Sequence, residues 1–329
     1  MNIANTKHYT VLGAGAWGTA LANLLCTNNK NTVVFTRNEQ IVHEINTSHT
    51  NNTYLKNITL QPDLKASFNL VKILQAAHKI VLAIPAQQLR NFLKENKQHI
   101  SSDAILILCA KGIEQTTGLF MSQVVQEFLP NNKLAIISGP SFAEDVALNL
   151  PTAVTLACED IDLAQALSLD FSSSKFRCYS NDDIIGVQIG GALKNVFAIA
   201  SGALAGLGFG ESAKAALITR AFAEMRRVGV RLGGRLETFS GLSGLGDLML
   251  SCNSNKSRNF TFGYSISTNI NFEEKLTEGY YTADISAKIC QELNIDAPLI
   301  LATYQLIYDK NNIKDIYNEL LNRPLKIED

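Results

Sequence analysis

Residues Tyr9-Thr-Val-Leu-Gly-Ala-Gly-Ala-Trp-Gly-Thr19 form a short apolar run that passes directly into Gly13, Gly15 and Gly18 and then into the helix-favouring stretch Thr19-Ala-Leu-Ala-Asn-Leu-Leu. A strand, a glycine-rich turn and a helix in that order make a dinucleotide fingerprint. Gly13 permits the tight strand-to-helix turn, Gly15 lets a pyrophosphate approach the backbone, and Gly18 lets helix and strand pack closely. Unpaired N–H groups at the helix start attract the phosphates.

Further along, Thr32-Val-Val-Phe-Thr, Lys79-Ile-Val-Leu-Ala-Ile, Ala104-Ile-Leu-Ile-Leu-Cys and Lys133-Leu-Ala-Ile-Ile-Ser are continuous apolar runs separated by helical stretches. Strands covered by helices on both faces read in this way, so the first half is expected to be a Rossmann-like, mostly parallel sheet. Thr152 to Ala157 and Lys175 to Tyr179 extend it. Beyond Ile184 helical patterns dominate: Ala192 to Ala205, Ser212 to Leu232, Ala283 to Leu293, Leu299 to Tyr308 and Ile313 to Leu321, with a glycine-rich turn region at Gly241 to Asp247. The expected organisation is α/β, with a dinucleotide-binding domain over 1–187 and an all-α substrate domain over 188–329. A ligand is expected in the crevice at the C-terminal strand ends, between the domains.

Composition narrows the function. The chain has 329 residues with 29 Lys and Arg against 30 Asp and Glu, scattered without a basic patch, so nothing points to nucleic acid. Its six cysteines show no CxxC pair and no metal-ligand spacing with histidine, which fits a reduced, cytoplasmic setting and no metal. The N-terminus has no apolar h-region and is not read as a signal peptide. Ile184 to Gly210 carries a single charge, Lys194. A central lysine costs about 2.5–3.5 kcal/mol in a bilayer, and the stretch is read as a buried helix rather than a membrane span.

Three lone charges stand out. Lys111 is the only charged residue between Asp103 and Glu114, Lys194 between Asp183 and Glu211, and Asp247 between Glu237 and Lys256. Isolated charges in apolar company are snorkelling or capping groups, or they line a polar cleft. Lys111 follows a buried strand, where ligands collect in such sheets. Lys194 lies in Gly190-Gly191-Ala192-Leu193-Lys194-Asn195, whose small residues can admit a substrate or the facing domain. Bringing a lysine pKa from ~10.4 to ~8 needs about 3 kcal/mol, within reach of a dry cleft beside a second lysine. Ser257-Arg258-Asn259 offers a guanidinium fork and neutral donors, either as an anion site or as a solvated loop.

Gly13-Ala-Gly-Ala-Trp-Gly-Thr-Ala-Leu-Ala, Lys111-Gly112, Ser138-Gly-Pro-Ser-Phe-Ala, Gly190-Gly-Ala-Leu-Lys-Asn, Gly241-Leu-Ser-Gly-Leu-Gly-Asp-Leu and Ser257-Arg-Asn resemble, in order and spacing, the soluble bacterial NAD(P)-dependent glycerol-3-phosphate dehydrogenase family. The resemblance covers nearly the whole chain and ends in Asn322-Arg323-Pro324. It implies reversible hydride transfer between NAD(P)H and dihydroxyacetone phosphate, giving sn-glycerol 3-phosphate for phospholipid synthesis, in a cytoplasmic homodimer. It places the general acid/base on Lys194, a second active-site lysine on Lys111, and a substrate-contacting acid that orients Lys194 on Asp247. Substrate contacts also fall on Gly139, Ser141, Ser257, Arg258 and Asn259. Cofactor contacts fall on Ala16, Trp17, Arg37, Lys111, Ala143, Arg258, Leu276 and Glu278, beside Gly13, Gly15 and Gly18.

Arg37 also follows from the residues themselves. The position after the second strand usually carries an acid for a ribose 2′-hydroxyl, whereas a cation suits a 2′-phosphate, so NADPH is the expected cofactor, with NADH also accepted. Ser251 stands where the family often has Thr, and Leu276-Thr277 replaces a common Val-Val pair. Neither departure removes a catalytic group. Two rival readings share the fold: a related hydroxy-acid dehydrogenase and a catalytically silent NADP-binding redox sensor. The lysine pair and the Ser257-Arg258-Asn259 cluster favour a small phosphorylated ketone over both.

Overall fold

The computed structural model describes residues 8–270, 277–309 and 313–324. These fold as two compact units. The first comprises Met1–Ala110, Met121–Ile137 and Ser141–Ile184, and the second comprises Lys111–Phe120, Ser138–Pro140 and Ile185–Asp329. The expected boundary at 187/188 falls inside one helix, Ile184–Gly206. Two short segments from the first half of the sequence, one carrying Lys111 and the other Gly139, group with the helices.

The first unit is built on eight strands: β1 (Tyr9–Leu12), β2 (Thr32–Phe35), β3 (Lys65–Ser67), β4 (Lys79–Leu82), β5 (Ile105–Leu108), β6 (Leu134–Ser138), β7 (Thr152–Cys158) and β8 (Phe176–Asn181). Their spatial order is β3-β2-β1-β4-β5-β6-β7-β8. β1 pairs in parallel with β2 on one side and β4 on the other, so the chain reverses direction across the sheet at β1. That reversal opens a crevice beyond the C-terminal end of β1, where the glycine-rich turn stands. Helices cover both faces, and Val11, Leu21, Val34, Val81, Ile107 and Phe171 belong to one buried cluster. β3 is the element that the sequence reading lacks. Lys65-Ala-Ser67 has no apolar run and becomes a strand by pairing its three residues with Val33, Val34 and Phe35 at the sheet edge.

At the opposite end of the sheet, Asp170 gathers Tyr9 and Lys79, the first residues of β1 and β4. The Tyr9 hydroxyl donates to its carboxylate at 2.7 Å, Lys30 pairs with it at 2.6 Å, and Lys79 pairs with it as well. This polar staple fixes the strand starts and leaves the other end free for a ligand.

The second unit packs Glu211–Arg231, Asp247–Cys252, Arg258–Thr268, Glu278–Glu292 and Pro298–Tyr304 with Ile184–Gly206. The apolarity of Ile184–Gly206 is explained by burial, with Val187, Leu193, Val196 and Phe197 at most 1% exposed. Two glycines, one on this helix and one on Arg258–Thr268, show how tightly the two pack. A Cβ on Gly202 would lie 1.9 Å from the Phe260 carbonyl oxygen, and one on Gly263 would lie 1.9 Å from that of Ile199.

Glu224, 2% exposed, reaches across from Glu211–Arg231 and accepts the backbone N–H groups of Leu299 (2.9 Å) and Ile300 (2.8 Å) at the first turn of Pro298–Tyr304. Those N–H groups have no partner within their own helix, so the carboxylate caps the helix from outside. Burial pushes the Glu224 pKa up to about 7, against the pull of the two N–H donors. The folded protein therefore holds this proton more tightly than the unfolded chain, whose value is near 4.5. Its stabilisation is complete below that value and is lost as pH rises through about 7. We expect Glu224→Gln to remove a pH-dependent loss of up to about 3 kcal/mol across this window, read by urea unfolding of both proteins at several pH values.

Candidate active site

In the first unit the turn after β1 behaves as its glycines require. Gly13 has φ +110°, and a Cβ there would meet the Ala83 carbonyl oxygen at 2.6 Å. A Cβ on Gly18 would lie 1.9 Å from the Gly13 oxygen, so the helix Ala16–Thr27 approaches the turn only because position 18 has no side chain. Gly15 differs from both, since nothing lies within 4 Å of where its Cβ would be. Protein packing does not explain that glycine, whereas a phosphate pressed against the backbone does. No side chain caps Ala16–Thr27, which leaves its first N–H groups to bind an anion.

The turn is braced from below by Asn51. Its Nδ2 group donates to the Ala14 carbonyl (3.0 Å) and to Thr19 Oγ1 (2.9 Å). Ala16, Trp17 and Ala143 are half-buried against the same apolar cluster. Arg37 is exposed just beyond β2, and Ser141 is half-buried in this unit. The residues present thus fit the diphosphate of a dinucleotide.

In the second unit the three lone charges meet. Lys194 projects from Ile184–Gly206, Lys111 from its short segment, and Asp247 from the first turn of Asp247–Cys252. The region expected as a glycine-rich turn is a wide π-helical turn, Leu242–Gly246, running directly into Asp247. Asp247 divides its carboxylate between the lysines, with Lys111 Nζ 2.6 Å from Oδ2 and Lys194 Nζ 3.1 Å from Oδ1. Lys111 Nζ also donates to the Gly139 carbonyl (3.2 Å), and Lys194 Nζ to Ser251 Oγ (2.8 Å). Ser251 stands one helical turn after Asp247, and its retained hydroxyl is the group in use here.

The side chains of Asp247, Lys194 and Lys111 are 2%, 12% and 20% exposed, so the charges are nearly dry but both lysines reach a surface. Burial raises the Asp247 pKa, and the charges of Lys111 and Lys194 outweigh it, holding the carboxyl below its ordinary range. Burial is also the largest influence on Lys194 and pushes its pKa below the usual lysine value, with Asp247 opposing and Lys111 adding to the shift. Two ammonium groups against one carboxylate leave a local charge of about +1, matched to an anion or a developing oxyanion.

The small residues beside Lys194 make room for protein groups. A Cβ on Gly190 would lie 2.6 Å from the Ser243 carbonyl oxygen, and one on Gly191 would lie 2.8 Å from Ser138 Oγ and 3.5 Å from Lys111 Cγ. Ser257 is the N-cap of Arg258–Thr268, its hydroxyl accepting from the Phe260 N–H at 3.3 Å. The Ser257-Arg258-Asn259 cluster is therefore a helix start, with Arg258 exposed and Ser257 and Asn259 buried, and not an irregular loop. Glu278 is half-buried at the head of Glu278–Glu292. Leu276 lies outside the described residues. Sequence reasoning missed Asn195 and the working contact of Ser251. Asn195 donates to the Lys111 carbonyl at 3.0 Å, and its only sequence signal was polarity beside Lys194 in an apolar helix.

Two substitutions probe this geometry. Asp247→Asn leaves two buried cations facing each other and is expected to cost about 3–5 kcal/mol in urea unfolding at pH 7. Because the Asp247 pKa is lowered, the native protein loses this advantage only as pH falls below about 4, where the variant and native curves converge. Gly191→Ala forces Ser138 or Lys111 aside and is expected to lower turnover at least tenfold in a steady-state assay with little change in fluorescence-measured NADPH affinity.

A profile for the NAD-dependent glycerol-3-phosphate dehydrogenase N-terminus matches residues 8–164, and one for the C-terminus of the same family matches residues 183–318. Glycerol-3-phosphate dehydrogenase (NAD(P)+) of Brucella ovis is 48% identical over 97% of this chain and 98% of its own. The protein of that name from Mesorhizobium japonicum is 47% identical over 97% and 93%. The crystal structure of glycerol-3-phosphate dehydrogenase from Coxiella burnetii superimposes with a TM-score of 0.91 at 34% identity, covering 97% of this chain and 99% of that one. With both halves matched by one family and near-full-length identity approaching one half, the chain belongs to the NAD-dependent glycerol-3-phosphate dehydrogenase family.

Proposed function

We propose that the protein catalyses the reversible reduction of dihydroxyacetone phosphate to sn-glycerol 3-phosphate with NADPH, and with NADH as a second cofactor. The observation that carries this reading is the Asp247 carboxylate shared between Lys111 and Lys194. A bound nicotinamide supplies the hydride to C2 of the ketone. The carbonyl oxygen gains negative charge as that happens, and Lys194 donates its proton to it. Burial favours this donor, because a lysine with a lowered pKa gives up its proton more readily near neutral pH. Asp247 and Ser251 hold the Lys194 ammonium in place before transfer and keep it from turning toward solvent. Lys111, fixed by Asp247 and the Gly139 carbonyl, holds the substrate oxygen and steadies its charge.

Ser257, Arg258 and Asn259, with the N–H groups of their helix start, take the phosphate, and Gly139 and Ser141 complete the substrate contacts. Gly13, Gly15, Ala16, Trp17 and Gly18 take the cofactor diphosphate, Ala143 and Glu278 its flanks, and the exposed Arg37 the 2′-phosphate that distinguishes NADPH. From the family resemblance we also propose that the enzyme supplies glycerophospholipid synthesis in the cytoplasm as a homodimer.

The first test is loss of 340 nm absorbance with dihydroxyacetone phosphate and either cofactor, using unphosphorylated dihydroxyacetone as control. Oxidation that needs the phosphate is expected, with NADPH preferred. Arg37→Ala should bring the kcat/KM values of the two cofactors together, and an unaltered ratio would remove Arg37 from its role. Lys194→Ala is expected to lower kcat at least about 100-fold while NADPH still binds. In the native enzyme, reduction should slow as pH rises through the lowered Lys194 pKa, and the reverse reaction should gain. Lys194→Ala should lose both limbs.

A further inference from the structure

A buried chain of amide groups runs through the helical unit. Asn195 Nδ2 donates to the Lys111 carbonyl at 3.0 Å, Asn259 Nδ2 donates to Asn195 Oδ1 at 2.9 Å, and the Gly279 backbone N–H donates to Asn259 Oδ1 at 3.0 Å. The two ends fix its polarity. A carbonyl only accepts and a backbone N–H only donates, so each side-chain amide has one permitted orientation. Asn195 is 4% exposed and Asn259 9%, so little water stands in for a lost partner.

The far end of the chain is equally constrained. A Cβ on Gly279 would lie 2.6 Å from Asn259 Oδ1 and 2.7 Å from the Asn195 carbonyl oxygen, so the helix Glu278–Glu292 can begin this close only with glycine there. A second tie runs beside the first. Gln115 Nε2, on the Lys111 segment, donates to Asp284 Oδ2 at 3.0 Å, and Ile113 packs with Ala192 and Ile285. The Lys111 segment and Glu278–Glu292 are thereby joined at two levels.

We propose that Asn195 is a positioning residue that, through the phosphate-binding Asn259, joins the start of Glu278–Glu292 to the backbone of Lys111 in one geometry, so that cofactor bound at Glu278 and substrate bound at Lys111 each tighten the other. The inference rests on the reading of Glu278 as a cofactor contact and Lys111 as a substrate contact. Such coupling is reciprocal, because each ligand must alter the other's affinity by the same factor. A role in packing alone would lower stability without altering that factor.

NADPH and glycerol 3-phosphate are both reduced, so their joint complex forms without turnover and affinities can be read directly. NADPH is titrated by its fluorescence into the full-length protein, with and without saturating glycerol 3-phosphate. We expect glycerol 3-phosphate to tighten NADPH at least about fivefold in the native protein, and less than about twofold in Asn195→Asp, whose carboxylate cannot donate. Gly279→Ala strains the same link from its far end and should show the same loss, which covers an aspartate variant that does not fold. Coupling that persists in the folded variants, or is absent from a native protein that binds both ligands, overturns the relay and leaves the proposed function standing. Failure of the native protein to bind NADPH or glycerol 3-phosphate overturns that function and the relay with it.

Discussion

A single carboxylate, that of Asp247, lies between two lysine ammonium groups, and the helical unit is organised to make this possible. Two cations this close repel, and burial makes each costlier to keep charged. The shared carboxylate offsets both effects and leaves one excess positive charge for a ligand. The neighbouring architecture follows from that requirement. The π-helical turn delivers Asp247, Gly190 lets that turn press against the lysine-bearing helix, and Gly191 admits Ser138 and the stem of Lys111. Ser251, one turn on, gives Lys194 a neutral acceptor beside its charged one.

The two units handle negative charge by different physics. The glycine turn uses backbone N–H groups and the open space at Gly15, a neutral cradle that costs little to desolvate and suits a diphosphate bound tightly in one pose. The helical unit uses full charges in a nearly dry setting, where interactions are strong and pKa values move. A recognition surface works with the first arrangement, whereas proton transfer needs the second. This division of labour matches the family to which the chain belongs, in which a dinucleotide must be held and a carbonyl oxygen protonated.

Much of this was legible in the sequence because it rests on local pattern. The Tyr9 to Thr19 stretch holds strand, turn and helix within one window, and the apolar runs that became β4 to β7 are long enough to declare themselves. Lys111, Lys194 and Asp247 were visible as charges in apolar surroundings. The family resemblance brought them to one site, but the sharing of one carboxylate by two lysines, one of them 136 positions away, was not legible because it is a tertiary fact. β3 was invisible because Lys65-Ala-Ser67 becomes a strand through its neighbour rather than its own propensity. Asn195 escaped notice because a buried amide acquires a role only when its partners are known, and the Ser257 cluster stood open between an anion site and a solvated loop because its helix cap is a single hydrogen bond.

The second unit is discontinuous in sequence, since Lys111–Phe120 and Ser138–Pro140 belong with the helices although they are synthesised well before them. On the ribosome the sheet unit can close while these two loops still lack the helices against which they pack. The cluster of Lys111, Lys194 and Asp247 then exists only after the helices Ile184–Gly206 and Asp247–Cys252 have folded. A fragment of residues 185–329 would carry Lys194 and Asp247 as a neutral pair without the Lys111 charge that leaves the cluster positive, and any chimera exchanging the second unit must transplant three pieces of chain together.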